Sequence, residues 1–198
     1  MTSAAVILAS GSSSRRAMLE AACVAFTAQT PRVDEEALKA DMNGLLAEEI
    51  ADALAEAKAL EVSTRHPDAL VLGSDQMLVC EGRMFSKCTN AAEARETLRH
   101  LRGREHELIS AAVIAKASKP VWRHSERALM TMRDFSDGFL DDYLAAELPD
   151  ALGSVGVYRI EGRGAQLFDS VTGDQFCIRG LPLLAVLAAL RAMGALPR

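Results

Sequence analysis

Compact apolar runs and longer amphipathic stretches follow one another along the first part of this chain. Ala5–Leu8 and Leu70–Leu72 are short apolar runs that predict buried strands. Apolar residues recur at helical spacing over 17–26, which predicts a helix between them. A second helical region, rich in alanine, extends over 35–64 with an interruption predicted near Asn43-Gly44. Strand and helix signals therefore alternate, as they do in α/β proteins.

The pattern after residue 76 is richer in strands. Two β runs, Glu107–Ala115 and Val121–Arg133, are separated by a short polar connection and predict a hairpin. No repeat, linker or low-complexity tract interrupts the pattern, so we expect an α/β fold with a mixed sheet in a single domain over residues 1–198. The other predicted elements are a strand at Met77–Cys80, a helix capped by Asn90 that ends at Gly103, a helix capped by Ser136, strands at Val155–Ile160 and Gln175–Ile178, and an apolar helix at Leu183–Met193.

The first apolar run opens onto a loop of small hydroxyl residues followed by Arg15 and Arg16. Unpaired backbone N–H groups at the start of the following helix favour an anion, and two guanidinium groups add phosphate donors. A second interpretation is equally compatible with these residues. Ser13 or Ser14 caps the helix and the arginines are solvated.

Three more polar clusters end or interrupt apolar runs: Val33–Glu36, Gly73–Gln76 and Ser86-Lys87. Carboxylates that hold a hard divalent ion, together with basic groups that neutralise phosphate oxygens, suit a metal-assisted reaction on a phosphate. The alternatives are structural. The acids of the first cluster are typical of a solvated helix start, and Asp75 is compatible with a turn that it makes with its own backbone.

Composition narrows the class of protein. The chain is 49% hydrophobic and 25% charged, with a formal net charge of -5, which argues against a broad nucleic-acid surface. The four cysteines show no metal-ligand spacing and indicate reduced thiols in the cytosol. The first apolar run is too short for a signal peptide, and no run is long enough to span a membrane.

His106 lies between a predicted helix end and a strand, where it either faces a ligand or pins the loop.

Short motifs in a fixed order give the chain a family resemblance. The order is Leu-Ala-Ser-x-Ser with Arg-Arg, Val-Asp-Glu, Ala-x-x-Lys-Ala, Gly-Ser-Asp-Gln, Ser-Lys, Gly-Arg-x-His-Glu and Gly-Leu-Pro-Leu. It resembles the Maf family of nucleoside triphosphate pyrophosphatases from about Val6 to Leu190. The resemblance implies an elongated, two-lobed fold like that of the inosine triphosphate pyrophosphatases, with helices on both sides of the sheet and a central cleft. It also implies Mg²⁺- or Mn²⁺-dependent cleavage of the α–β phosphoanhydride, which gives a nucleoside monophosphate and pyrophosphate.

The resemblance assigns expected roles to particular residues. Lys58 and Lys87 match lysines of the family that stabilise phosphate charge. Without the resemblance, Lys58 would be interpreted as an exposed helix lysine. Glu35 matches a metal ligand, and Asp75 matches an aspartate that binds metal or activates water. The expected catalytic residues are Asp75, Lys58 and Lys87, the expected metal ligands are Glu35 and Asp75, and the expected substrate contacts are Ser10, Ser12, Arg15, Arg16, Gln76 and Glu161.

Local features resemble one subtype of the family. One residue more separates Ser12 from the arginine pair than in the shortest form of this loop in the family. The aspartate motif is Gly-Ser-Asp-Gln instead of the commoner Gly-Ala-Asp-Thr, and Glu161 occupies a position where pyrimidine-directed members tend to have glutamine. The combination is similar to members that prefer 7-methyl-GTP over dTTP and UTP. A carboxylate such as Glu161 is able to accept hydrogen bonds from a guanine edge or to favour the cationic methylated base.

Other positions depart from the family pattern. Ser13 and Cys88 replace prolines, and Ala57 replaces the acid that usually precedes the helix lysine. Glu56 is one residue away, and because a helix turns about 100° per residue it does not substitute for that acid. These departures leave open the alternative that the chain is a low-activity nucleotide-binding regulatory protein linked to septum formation.

The family also raises the expectation of a homodimer, although burial in the core is the favoured interpretation of the apolar C-terminal helix.

Overall fold

The computed structural model describes residues 4–197, which form seven strands and seven helices together with two short 3-10 helices at Asp150–Gly153 and Arg163–Leu167. The strands are β1 (Val6–Ala9), β2 (Thr27–Gln29), β3 (Leu70–Cys80), β4 (Arg83–Phe85), β5 (Glu105–Lys116), β6 (Lys119–Met132) and β7 (Phe168–Thr172). The helices are α1 (Ser13–Ala21), α2 (Glu35–Asp41), α3 (Ala47–Ser63), α4 (Ala91–Leu101), α5 (Asp137–Glu147), α6 (Gln175–Ile178) and α7 (Leu183–Ala192).

The strands form one mixed sheet in the order β2-β1-β3-β5-β6-β7, with β4 paired to β3 outside this path. β1 runs parallel to both of its neighbours, β2 and β3. The pairs β3–β4 and β6–β7 are antiparallel. The prediction of an α/β fold with a mixed sheet is confirmed.

The residues cluster into two compact units. Of the described residues, unit 1 contains those up to Gln76, Ile109–Glu126 and those from Gln175 onward. Unit 2 contains Met77–Leu108 and Arg127–Asp174. The strands β3, β5 and β6 each contribute residues to both units.

Unit 1 packs helices on both faces of its strands, because side chains along a strand point alternately to opposite faces. Val6 and Leu8 of β1 lie in one core cluster with apolar residues of α1 and α7. Ile7 and Ala9, which alternate with them, lie in a second cluster with Val62 of α3. Helices therefore cover both sides of the sheet, as predicted, and α7 lies in the core of this unit.

Unit 2 has its own aromatic centre. The ring of Tyr158 meets that of Phe168 edge-on at 4.8 Å between centroids, and His106 lies against both rings. Tyr143 of α5 is fully buried and donates its hydroxyl to the Val157 carbonyl at 3.0 Å.

Several predicted elements have different bounds in the structure. α1 begins at Ser13 and ends at Ala21, and its N-cap is Ser12, not Ser13 or Ser14. The predicted hairpin is confirmed as β5 and β6, which are joined through Ala117 and Ser118, both with positive φ. That pair of left-handed residues matches the two-residue turns that suit the strand twist. The long helical region divides into α2 and α3, so the interruption predicted near residue 43 is confirmed.

Two strand predictions are wrong, and three short strands were not predicted. The segment 155–160 contains turns and a bend but no strand, and Val157 has a left-handed φ of 59° that breaks an extended run. The run Gln175–Ile178 is the short helix α6, because an apolar run of this length fits either a strand or a buried helical turn. The unpredicted β2, β4 and β7 are three to five residues long, too short to show a periodicity.

No helix within residues 4–197 combines the length and the apolar character that crossing a membrane requires.

Candidate active site

In the loop after β1, serine hydroxyl groups accept hydrogen bonds from nearby backbone N–H groups. Ser10 is buried, and its Oγ accepts a hydrogen bond from the backbone N–H of Ser12 at 3.2 Å. Ser12 caps α1, because its Oγ accepts from the backbone N–H of Arg15 at 3.3 Å. β1 ends at Ala9, which pairs with Gly73 of β3, so this loop starts beside the Gly73–Gln76 cluster. A serine therefore caps the helix, although it is Ser12 and not Ser13 or Ser14, and the anion site stays a prediction.

The two arginines of this loop differ in environment. Arg16 is exposed, whereas Arg15 is only 9% exposed, which rules out the interpretation that both are solvated. Arg15 donates from Nε to the Gly180 carbonyl at 2.7 Å and from Nη1 to Ser10 Oγ at 3.2 Å. Burial lowers the pKa of the Arg15 guanidinium from its ordinary value, and the charges of Asp75 and Glu35 act in the opposite direction. Arg15 is thus a fixed cation close to both carboxylates.

Lys58 joins the two predicted metal ligands. Its Nζ lies 2.6 Å from Asp75 Oδ1 and 2.8 Å from Glu35 Oε1. Lys58 is 5% exposed and Asp75 is 6% exposed, while the Glu35 side chain remains 43% exposed. Lys58 is therefore not a solvated helix lysine, and Asp75 does not form a turn. Two carboxylates with one ammonium group form the charged centre of unit 1.

The local sequence explains how these side chains meet. Asp75 alternates with Ser74 and Gln76 along β3, so it points to the α3 face of the strand. Lys58 follows Leu54 by one helical repeat and lies on the buried face of α3. Gly73 allows α3 to lie close to β3, because a Cβ at this position would be only 2.2 Å from the Ala55 carbonyl oxygen. α2 begins at Glu35, with Asp34 as its N-cap.

The donor set fits a hard divalent cation. The carboxylates of Glu35 and Asp75 converge on a single cationic atom, Lys58 Nζ, so both are able to reach one ion. Carboxylate oxygens are the ligands that Mg²⁺ and Mn²⁺ prefer. Lys58 Nζ must move away from these oxygens before a metal ion binds them.

Glu56 does not take the place of the acid that Ala57 replaces. Its carboxylate pairs with Arg123 Nη2 at 2.8 Å, and Asp52 pairs with the same guanidinium at 2.6 Å. Glu56 is therefore committed to a contact with β6, as expected from the rotation of successive residues around a helix.

Gln76 makes internal contacts. Its Nε2 donates to the carbonyls of Cys177 at 2.9 Å and Ile178 at 3.1 Å, and to Ser110 Oγ at 3.1 Å. Ser74 and Ser110 are fully buried hydroxyl residues near these carbonyls, and sequence reasoning gave neither of them a role. The alternation along β3 carried the only signal for Ser74, because it places this residue on the same face as Gln76.

Lys87 and Glu161 belong to unit 2. Lys87 is exposed in the segment that follows β4, and Glu161 is exposed in a turn before the second 3-10 helix. Cys88, which replaces a proline next to Lys87, is buried with its thiol 3.3 Å from the Thr97 hydroxyl. The predicted site residues that lie in unit 1 are Ser10, Ser12, Arg15, Arg16, Glu35, Lys58, Asp75 and Gln76.

His106 is buried against Tyr158, as expected for the interpretation in which it pins the loop. It is 1% exposed, and its Nε2 lies 2.7 Å from the Tyr158 hydroxyl. Burial lowers the pKa of His106 from 6.5 to about 4. The ring is therefore neutral at physiological pH.

A different set of side chains in unit 2 has metal-ligating chemistry. Cys80, Glu81 and His100 bring their ligand atoms within 4.8 Å of one another. Glu81 is paired with Arg104 at 3.2 Å, and the Cys80 thiol donates to the Glu105 carbonyl at 3.5 Å. Protein partners thus already engage two of the three groups, and a sulfur ligand does not suit Mg²⁺.

Comparison with known proteins identifies the family. The profile of the family described as Maf-like protein matches residues 5–193. A protein of Granulibacter bethesdensis named nucleoside triphosphate pyrophosphatase is 48% identical over 96% of this chain and 98% of its own length. A protein of the same name from Caulobacter vibrioides is 50% identical over 96% of each chain. A protein of Rhizobium meliloti named 7-methyl-GTP pyrophosphatase is 47% identical over 96% of this chain and 97% of its own length.

Proposed function

The chain belongs to the Maf-like protein family, and from this premise we propose that it is a nucleoside triphosphate pyrophosphatase. The reaction cleaves the bond between the α- and β-phosphates and releases a nucleoside monophosphate and pyrophosphate. The observation that carries the proposal is Lys58, a buried cation that bridges Glu35 and Asp75 beside Arg15. This arrangement supplies both phosphate-binding and metal-binding groups within one unit.

The Ser/Arg loop supplies the phosphate donors. Arg15 is held in place by two hydrogen bonds, and its Nη2 makes none to the residues that the structure describes. That nitrogen, the exposed Arg16 and the hydroxyls of Ser10 and Ser12 donate to the triphosphate oxygens in the proposed complex. Donors fixed before the reaction stabilise the charge that develops on leaving pyrophosphate without reorganising.

Glu35 and Asp75 would hold Mg²⁺ or Mn²⁺. When bound, the ion neutralises phosphate charge and lowers the pKa of coordinated water. Lys58 exchanges its carboxylate partners for a phosphate oxygen, so its charge remains paired throughout. In the proposed reaction, Asp75 orients the attacking water or accepts its proton.

The proposal also gives roles to two residues of unit 2, Lys87 and Glu161. Lys87 stabilises phosphate charge, and Glu161 with Gln76 biases the enzyme toward 7-methyl-GTP. Glu161 supports this preference through its exposed carboxylate, which suits a cationic methylated base. The relatives support the activity more than the preference, since both names occur among proteins of similar identity.

Turnover of a nucleotide panel tests the proposal. Purified protein is incubated with 7-methyl-GTP, GTP, dTTP and UTP in the presence of Mg²⁺ or Mn²⁺, and pyrophosphate release is measured. We expect Asp75→Asn and Lys87→Ala each to reduce the rate by about a hundredfold or more, because each removes a charge to which the proposal gives a role in the reaction. The matched controls are Asp68→Asn and Lys119→Ala, which alter exposed residues outside the site.

Two outcomes would contradict parts of the proposal. Nucleotide binding without turnover by the unaltered protein favours the alternative of a nucleotide-binding regulatory protein. Faster turnover of dTTP or UTP than of 7-methyl-GTP overturns the substrate preference alone.

The proposal also includes a cytosolic location and a homodimer. Light scattering of the purified chain measures the oligomeric state.

A further inference from the structure

Five side chains donate hydrogen bonds to the backbone carbonyls of one short segment, Cys177–Gly180, which we call the carbonyl segment. Its first two residues end α6, a helix of only four residues. A helix end leaves carbonyls without intrahelical partners, so other groups must satisfy them. The donors are Ser14 to Arg179 at 3.2 Å, Arg15 to Gly180 at 2.7 Å, Ser74 to Gly180 at 3.0 Å, Gln76 to Cys177 and Ile178 at 2.9 and 3.1 Å, and Ser110 to Cys177 at 2.8 Å.

The donors come from three different elements. Ser74 and Gln76 are two residues apart on β3 and share one face, opposite to the face of Asp75. Ser110 lies on β5, where it donates to Cys177 and accepts from Gln76 Nε2 at 3.1 Å. β3 therefore presents Asp75 to the charged centre on one face and fixes the carbonyl segment on the other.

Gly180 connects the carbonyl segment to the phosphate donors. Its φ is +95°, and a Cβ there would lie 3.6 Å from both Arg15 Nε and Gln76 Oε1. Its carbonyl accepts from Arg15 Nε, so the place of this carbonyl sets the direction of the guanidinium plane. The Ser74 hydroxyl has one proton, which it shares between the Gly180 and Ala111 carbonyls at 3.0 and 2.7 Å. Gln76 contacts two carbonyls of the segment and Ser110 contacts one of these two, so both residues hold the segment at its first two positions.

We propose that Gln76 and Ser110 are positioning residues for Arg15, acting through the carbonyl segment and its Gly180 carbonyl. The inference rests on the proposed function, in which Arg15 binds the triphosphate. Gln76 then influences nucleotide turnover through Arg15 as well as through the nucleotide preference proposed above. Ser110 becomes a determinant of phosphate affinity although it is fully buried.

Ser110→Ala tests the proposal, because it removes one hydroxyl and preserves the shape of the residue. We expect the Kd for inorganic pyrophosphate with Mg²⁺, measured by calorimetry, to rise about tenfold, along with KM for the best nucleotide. We expect kcat to change less than KM. Ser63→Ala is the matched control, because Ser63 is another fully buried serine of unit 1 whose hydroxyl contacts the Ser118 N–H at 3.1 Å. Its pyrophosphate affinity should equal that of the unaltered protein.

A double-mutant cycle with Arg15→Ala separates positioning from a general loss of stability. If Ser110 acts through Arg15, then Ser110→Ala has no further effect on pyrophosphate affinity once Arg15 is removed. Additive effects, or an unchanged affinity in Ser110→Ala, overturn the inference. Gln76→Met provides the same cycle if Ser110→Ala does not fold. If Arg15→Ala itself leaves pyrophosphate affinity unchanged, the proposed role of Arg15 fails first.

Discussion

Lys58 is the residue on which the charge balance of the site depends. Its ammonium group pairs with Glu35 and Asp75 at hydrogen-bond distance and is itself almost completely buried. Removing one partner of a buried ion pair leaves an uncompensated charge, which is costly. A divalent cation is the natural replacement for that ammonium group. In the proposed site, lysine and metal ion therefore compete for the same carboxylate oxygens when no nucleotide is bound.

The competition predicts an unusual consequence of Lys58→Met. We expect this variant to lose turnover but to bind Mn²⁺ about tenfold more tightly than the unaltered protein, because the carboxylates no longer have an ammonium partner. Electron paramagnetic resonance of free Mn²⁺ measures the affinity, and circular dichroism checks that the variant folds. Lys119→Met, at an exposed position, should leave Mn²⁺ affinity unchanged. Equal or weaker Mn²⁺ binding by Lys58→Met would count against Glu35 and Asp75 as the metal ligands.

His106 makes the stability of the fold depend on pH. Its pKa is about 4 in the folded chain, whereas the ordinary value of 6.5 applies to the unfolded chain. Between pH 4 and pH 6.5 the unfolded chain therefore binds a proton at this histidine more readily than the folded chain does. Stability is therefore fully present above pH 6.5 and decreases as the pH falls toward 4. From pH 7 to pH 5 this residue alone accounts for a loss of about 2 kcal/mol.

Urea unfolding of the chain at pH 7 and at pH 5 measures this effect. In His106→Gln we expect the pH-dependent loss to shrink by about 2 kcal/mol, because no buried imidazole remains to be protonated on unfolding. His124→Gln is the control, since its ring is 40% exposed, and it should retain the pH dependence of the unaltered protein. An unchanged pH dependence in His106→Gln would show that the buried imidazole is not its source.

At the scale of elements, β3 organises the candidate site. Its residues alternate between the face covered by α3 and the face that holds the carbonyl segment. The contact with α3 is close at Gly73, where a Cβ would lie 2.2 Å from the Ala55 carbonyl oxygen and 2.7 Å from the Ala59 nitrogen. Both are backbone atoms, so a side chain at Gly73 forces α3 away from the strand and moves Lys58 from Asp75.

Gly73→Ala should therefore destabilise the chain by about 3 kcal/mol and abolish turnover. The free energy of unfolding in urea measures the first effect. Gly153→Ala is a suitable control, because a Cβ at Gly153 meets nothing within 4 Å. If Gly73→Ala unfolds at the same urea concentration as the unaltered protein, the close packing of α3 on β3 is not as described.

Periodicity predicted the long elements well. The long helical region and its interruption, the β5–β6 hairpin and α7 all have enough residues to show a repeat. β3 was predicted as two runs around a polar cluster, because Gly73–Gln76 contains residues typical of a turn. Polar residues continue the strand there because each finds a buried partner, such as Lys58 for Asp75 and the carbonyl segment for Gln76. Those partners are distant in sequence, and no local pattern encodes them.

At the scale of the molecule, the order of the motifs carried the functional prediction, because no single motif was specific. Membership of the Maf-like protein family confirms the resemblance. The structure adds that Ser10, Arg15, Glu35, Lys58 and Asp75 belong to one compact unit and are held by mutual contacts. The sequence alone left Lys58 as an ordinary surface lysine and gave no reason for Ser74 or Ser110 to be polar.

Product analysis tests the central proposal most directly. The unaltered protein is incubated with a nucleoside triphosphate and Mg²⁺, and the phosphorus-containing products are separated and quantified over time. We expect equal amounts of nucleoside monophosphate and pyrophosphate, with no turnover after the metal ion is removed by chelation and recovery when it is restored. Nucleoside diphosphate and orthophosphate as products, or no product from any nucleotide of the panel, would contradict the proposed reaction.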